Sequence, residues 1–264
     1  MVSLETSNEV LFLLKDDIFT KFTILTTKFL PLPPKIILLD SPNKEILSLS
    51  QTKTLPLLKS SDIFFSGTIP IIKYLIRSSK DISDGINMDN RVILLGKNEK
   101  EEARVDMWLN FIFDKIYPII REIESQLYGK KQFDIRRFEY AENDLLEILV
   151  DINQYLELNP FLTANHVQLS DIFLTAALFN CYNDIFTQNE LNLIPNVIRV
   201  FKFVANMRLF KEIFGKSIQC KKVKKHLPYV EKKKEEKKDD NKHENNKKEK
   251  RRIKEINNFI INDK

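Results

Sequence analysis

Apolar residues in the first 80 positions fall in short runs separated by polar breaks, a pattern that predicts alternating strands and helices. Val10–Leu14 is a short apolar run suited to a buried strand. Over Ile18–Phe29 the apolar positions Phe19, Phe22, Ile24, Leu25 and Phe29 approach helical spacing. Pro31, Pro33 and Pro34 close that helix, because proline has no N–H to donate and disfavours helix in the residue before it. Lys35–Leu39 reads as a second strand, and Leu55–Leu58 and Ile63–Phe65 as two more, separated by the turn-like Lys59-Ser60-Ser61-Asp62. A weak helix near Glu45–Leu49 and a stronger one over Thr68–Ile76 complete the order β-α-β-α-β-β-α.

Ser78 to Lys97 is polar, contains Gly85 and Gly96, and reads as a linker. Beyond it only helical spacing is found. Glu99–Leu127 carries a stripe of Val105, Trp108, Leu109, Ile112, Ile116 and Ile119, and Phe133–Leu158 repeats the design with Leu145, Ile148, Leu149 and Ile152. Leu169–Phe186 is apolar nearly all round and should lie at the centre of a bundle. Shorter helices are predicted over 196–206 and 207–214, with Gly215 as a left-handed cap. The predicted division is an α/β domain over 1–80, a linker over 81–97, an all-helical domain over 98–220 and a tail over 221–264.

Composition sharpens the account of the tail. Lys232 to Arg252 contains no hydrophobic residue, so it cannot bury apolar surface and is expected to stay disordered. From Lys221 onward there are 17 Lys and Arg against 9 Asp and Glu, a net of +8. The whole chain has 42 against 37, so residues 1–220 hold 25 against 28, a net of −3. The basic excess therefore lies wholly in the tail, which argues against a folded nucleic-acid-binding face but permits weak, salt-dependent RNA or ribosome contact through the tail. With 5 Gly and 30% charged residues, helices are favoured over a turn-rich all-β fold. No apolar run reaches the ~18 residues of a membrane span, so no membrane contact is expected. Two cysteines and three histidines supply neither a disulfide framework nor metal-ligand spacing, and a reducing, cytoplasmic setting fits.

The strand and helix order of the first 80 residues is thioredoxin-like, and such a unit joined to an all-helical one resembles the glutathione transferases. Thr54-Leu55-Pro56-Leu57 looks like that family's cis-proline loop, with Pro56 as the cis residue and the Leu55 backbone facing the glutathione cysteinyl group. Phe65-Ser66-Gly67-Thr68-Ile69 matches the turn where the family holds the γ-glutamyl end, and Gln168-Leu169-Ser170-Asp171 resembles its buried helix start. Pro195-Asn196-Val197-Ile198-Arg199-Val200-Phe201, followed by Asn206, Phe210, Gly215 and Cys220, is similar to the gamma subunit of translation elongation factor 1. A related domain is appended to some aminoacyl-tRNA synthetases. The gamma subunit carries a further globular domain after its Lys/Glu-rich linker, whereas this sequence stops at Lys264, so a fragment, or a shortened or different member of the group, is expected.

The resemblance implies a scaffold that docks the nucleotide-exchange subunit of elongation factor 1, with tRNA synthetases as further partners and a homodimer as a further option. A glutathione transferase, or the appended domain of a synthetase, is the alternative. Against an enzyme, Leu13-Leu14-Lys15-Asp16-Asp17-Ile18 lacks the Tyr, Ser or Cys that would lower the thiol pKa of glutathione; Asp16 and Asp17 would raise it. Thr20, the nearest hydroxyl, is expected inside the helix, and Phe65 stands where an acid would meet the substrate ammonium. No catalytic residue and no metal ligand is therefore assigned. Leu55, Pro56 and Ser66 are expected to form a vestigial glutathione site. Asp171 reads as a buried helix cap, Trp108 as packing, Cys181 as a small buried hydrophobe and His166 as a surface-loop residue. Cys220, beside Lys221 and Lys222, is either structural or a thiol of lowered pKa.

Overall fold

The computed structural model describes residues 9–15, 17–80 (for 79 and 80 only the backbone) and 94–229. The β1 strand, Val10–Leu14, lies inside a four-stranded sheet of order β2-β1-β3-β4. It runs parallel to β2, Lys35–Leu39, and antiparallel to β3, Leu57–Ser60, which in turn pairs antiparallel with β4, Ile63–Ser66. The interior position explains why β1 is apolar at every residue: Val10, Leu11, Phe12 and Leu13 are each at most 2% exposed.

Helix α1, Ile18–Thr27, connects the sheet to the rest of the molecule. Its buried hydroxyls are satisfied within their own helix turn or by the preceding strand: Thr23 and Thr26 donate to the carbonyls of Phe19 and Phe22, and Thr20 to Leu14 of β1. Its inner face stacks Phe22 on Phe173 at 4.7 Å, both fully buried, each burial worth about 2–3 kcal/mol. The short α2, Lys44–Ser48, and α3, Thr68–Lys80, complete the α/β part.

The predicted Glu99–Leu127 helix is present but not uniform. It comprises α4, Glu99–Phe111, a π-helical turn over Ile112–Ile116, and α5, Tyr117–Leu127. The remaining helices are α6, Ile135–Glu157, α7, Leu169–Asp184, α8, Gln188–Leu193, α9, Pro195–Ala205, and α10, Arg208–Phe214. The sequence reading omitted α8, although Thr187 and Glu190 form a capping box whose three-residue spacing is legible. As expected, α7 is buried on nearly all sides.

One cluster of buried apolar residues runs from Leu11 of β1 to Phe210 of α10, so the α/β and helical regions share a core. Leu94 and Leu95, at the end of the stretch read as linker, are buried, and the Leu94 carbonyl accepts from the Leu169 amide. Residues 81–93 of that linker lie outside the described residues.

The hydrogen-bonded body continues to Leu227, past Lys221 where the tail is expected to begin. The amides of Cys220, Lys224 and Leu227 donate to the carbonyls of Tyr182, Asp184 and Leu127, and His226 stacks on Phe133 at 4.1 Å. These partners tie 220–227 to α5, α7 and the α5–α6 turn. The Lys/Glu-rich stretch expected to be disordered lies outside the described residues. Gly215 does end α10 with positive φ, but at φ 87 and ψ −172 it occupies the extended glycine-only region and not the left-handed helical one.

Candidate functional site

The loop before β3 has the geometry read from its sequence. The Leu55–Pro56 peptide is cis, and the Pro56 carbonyl accepts from the Gly67 amide at 3.2 Å, joining the start of β3 to the end of β4. Gly67 has φ +96, which a side chain would oppose. Ser66 is half-buried, and its hydroxyl accepts from Thr52 at 2.7 Å; Thr52 also contacts the hydroxyls of Ser50 and Thr54. The structure thus brings Leu55, Pro56 and Ser66 to one corner of the sheet. Phe65, where an acid was looked for, stacks on Tyr74 of α3 at 4.7 Å.

After β1 the chemistry is different. Asp16 lies outside the described residues. Thr20 is 6% exposed, and its hydroxyl is committed to the Leu14 carbonyl at 2.5 Å. Asp17 is the N-cap residue of α1, and burial pushes its carboxyl above the usual range although the Ile18 and Phe19 amides oppose that shift.

Asp17 lines a cleft of about 940 Å³ between α1, α5 and α7. The cleft has an aromatic wall of Phe19, Phe113 and Tyr117, and its carboxylates include Glu124 as well as Asp17. Leu55, Pro56 and Ser66 are not among its lining residues. Glu124 accepts from the Asn180 side chain at 2.7 Å, and burial raises its pKa, with Asp17 and Asp184 adding to the rise. Tyr117 is pushed up to about 12, first by burial and then by Asp17, so it remains a neutral phenol at physiological pH. The sequence reading missed Tyr117, Phe113 and Glu124. They stand on an ordinary helical stripe, and only the irregular turn over Ile112–Ile116 hints that this stripe is special.

The remaining candidates are structural. Asp171 is fully buried, and its two carboxylate oxygens accept from the amides of Leu162 and Gln168, each at 2.9 Å. Burial nevertheless pushes it up to about 6. Trp108 is packed against Phe111 and Tyr155. Cys181 is fully buried with a raised pKa. Cys220 does not have the lowered pKa that its lysine neighbours suggested. It is 5% exposed, burial raises it, and its thiol donates to the Lys222 carbonyl. His166 is half-buried, with Nε2 fully enclosed and lacking a partner among the described residues, so it is not a free surface residue. Among the described residues no group of His, Cys, Asp and Glu is placed to hold a metal ion, and no helix is long and apolar enough to cross a membrane.

A four-stranded mixed sheet with a cis-proline turn, sharing its core with an all-helical half, is the glutathione-transferase-like fold. The glutathione-transferase-like domain of elongation factor 1-gamma from Saccharomyces cerevisiae superposes with a TM-score of 0.68 at 17% identity, over 85% of this chain and all of that one. In sequence, elongation factor 1-gamma of Danio rerio is 26% identical over 131 residues, which is 50% of this chain and 30% of that protein. Valine–tRNA ligase of Takifugu rubripes is 25% identical over 126 residues, 48% of this chain and 10% of its own length. The chain thus spans less than a third of either relative. No family model matches it. The resemblance to the transferase-like domain of the elongation factor 1 gamma subunit, read from Pro195–Phe201 with Asn206, Phe210, Gly215 and Cys220, is borne out by these relatives.

Proposed function

We propose that the body is a non-catalytic docking module of a translation elongation complex, and that it holds the nucleotide-exchange subunit of elongation factor 1 by surface shape. The similarity to elongation factor 1-gamma carries this reading. The chemistry after β1 supports it: the one hydroxyl read there, on Thr20, is spent on Leu14, and Asp17 would repel a forming thiolate. Leu55, Pro56 and Ser66 form at most a vestigial glutathione site without a thiol activator. The role is cytoplasmic; a homodimer is compatible with it, and the basic stretch over 221–264 adds weak RNA or ribosome contact through its net charge of +8.

The experiment is affinity capture of the full chain from lysate of its own source. The exchange subunit should co-purify at near-stoichiometric yield, and its absence together with that of tRNA synthetases would overturn the translation assignment. The similarity to a valine–tRNA ligase favours a second reading, the appended domain of a synthetase. In that case a synthetase, and not the exchange subunit, would be captured.

A further inference from the structure

We propose that the cleft between α1, α5 and α7 binds an organic cation, an alkylammonium or guanidinium group carried on an apolar stem. The wall comes first. Phe19 lies 5.5 Å from Phe113 and 4.4 Å from Tyr117 between ring centroids, and Phe113 and Tyr117 lie 6.4 Å apart and nearly parallel. Phe113 comes from the π-helical turn and Tyr117 from the residue directly after it. Phe113 remains 41% exposed, leaving ring surface open to an incoming group. A cation over such a face gains about 0.5–2 kcal/mol, more as water is excluded.

The charge in the cleft is the second observation. Asp17 and Glu124 are both half-buried in its lining. Neither is in an ion pair among the described residues, and Glu124 has only the neutral Asn180 amide on one oxygen. Four cations also line the cleft. Lys131 is taken by Glu122, and Lys21 lies 6.0 Å over the Phe214 ring. Arg121 and Lys130 are exposed, in no ion pair among the described residues, and act through space, Arg121 on Asp17 and Lys130 on both Asp17 and Glu124. Two partly desolvated carboxylates beside an aromatic wall are stabilised by a ligand that brings positive charge and apolar surface together. A neutral aromatic would satisfy only the wall, and an anion would meet Asp17 and Glu124.

The test is titration of the full chain at neutral pH with benzyltrimethylammonium, benzyl alcohol and benzenesulfonate, followed by calorimetry and amide chemical shifts. The cation should bind at least tenfold more tightly than either of the others. The double variant Asp17→Asn/Glu124→Gln should lose at least tenfold, while Asp151→Asn, on the exposed side of α6, should change nothing. If circular dichroism shows that the double variant does not fold, Phe113→Ala, at an exposed position, should still weaken the cation severalfold. Equal binding of the cation and benzyl alcohol, no binding of the cation, or full affinity in the folded variants would each overturn the proposal.

Discussion

Asn153 of α6 and Arg199 of α9 each complete the end of the other's helix. The Asn153 side-chain oxygen accepts from the first amides of α9, Asn196 at 2.7 Å and Val197 at 3.4 Å. The Arg199 guanidinium donates to three carbonyls at the end of α6, those of Leu156, Asn159 and Pro160, at 2.7 to 3.1 Å. Helix ends leave backbone groups without intrahelical partners, and here two neighbouring helices supply them reciprocally. Asn153→Ala and Arg199→Ala should each cost about 1–2 kcal/mol in urea unfolding. Because both act across one helix contact, the double variant should cost measurably less than the sum.

Asp171 sets a pH dependence whose sign is fixed. Its folded pKa of about 6 lies above its ordinary 3.8, so folding takes up a proton between those values. Stability from this group therefore rises as pH falls from about 6 toward 4, by up to ~3 kcal/mol, and is flat above 6. Glu102, Glu122 and Glu190 have lowered values, and their contribution is lost only as pH falls below 4.5. Unfolding measured from pH 7 to 4.5 should show the rise in the native chain and a flatter profile in Asp171→Asn.

Gly129 should report on the strap that follows α10. It has φ +66, and a Cβ there would stand 2.7 Å from the Pro228 carbonyl oxygen. Gly129→Ala should cost about 1–3 kcal/mol and speed hydrogen exchange at the Leu227 amide, which is bonded to Leu127. Gly215→Ala meets nothing within 4 Å, so its cost should come from backbone conformation alone, with the Leu227 amide unchanged.

A fourth prediction concerns chemistry. With glutathione and 1-chloro-2,4-dinitrobenzene the chain should show no turnover above the buffer rate. Thr20→Val should destabilise it by about 1 kcal/mol through loss of the Leu14 bond and leave that rate unaltered. Turnover at transferase rates would overturn the docking reading.

Much of this molecule was legible before its structure. The strands β1 and β2 lie where their apolar runs stand; for β1 the reason is that a strand inside a sheet needs apolar residues on both faces, whereas β2 is an edge strand and only partly covered. The centre of the bundle, α7, was equally plain, since a helix apolar on all sides has nowhere else to lie. Pro56 and Gly67 were readable because their backbone demands are local.

What needed the tertiary structure is everything set by neighbours distant in sequence. Charge order along the chain put Cys220 beside lysines, yet its thiol faces the Lys222 carbonyl inside a strap held by Tyr182 and Asp184. Residues 221–228 look like a tail by composition, but backbone hydrogen bonds, to which composition is blind, hold them to α5 and α7. The cleft is the extreme case. Asp17, Phe113, Tyr117 and Glu124 come from the start of α1, the π-helical turn and α5; the first stands 96 or more residues from the others, and no spacing rule links them. The sequence by itself determined most of the elements that form, α8 and the π-helical turn excepted. Only the folded chain decided which charges are desolvated together, because burial and mutual distance depend on packing between elements and not on their order.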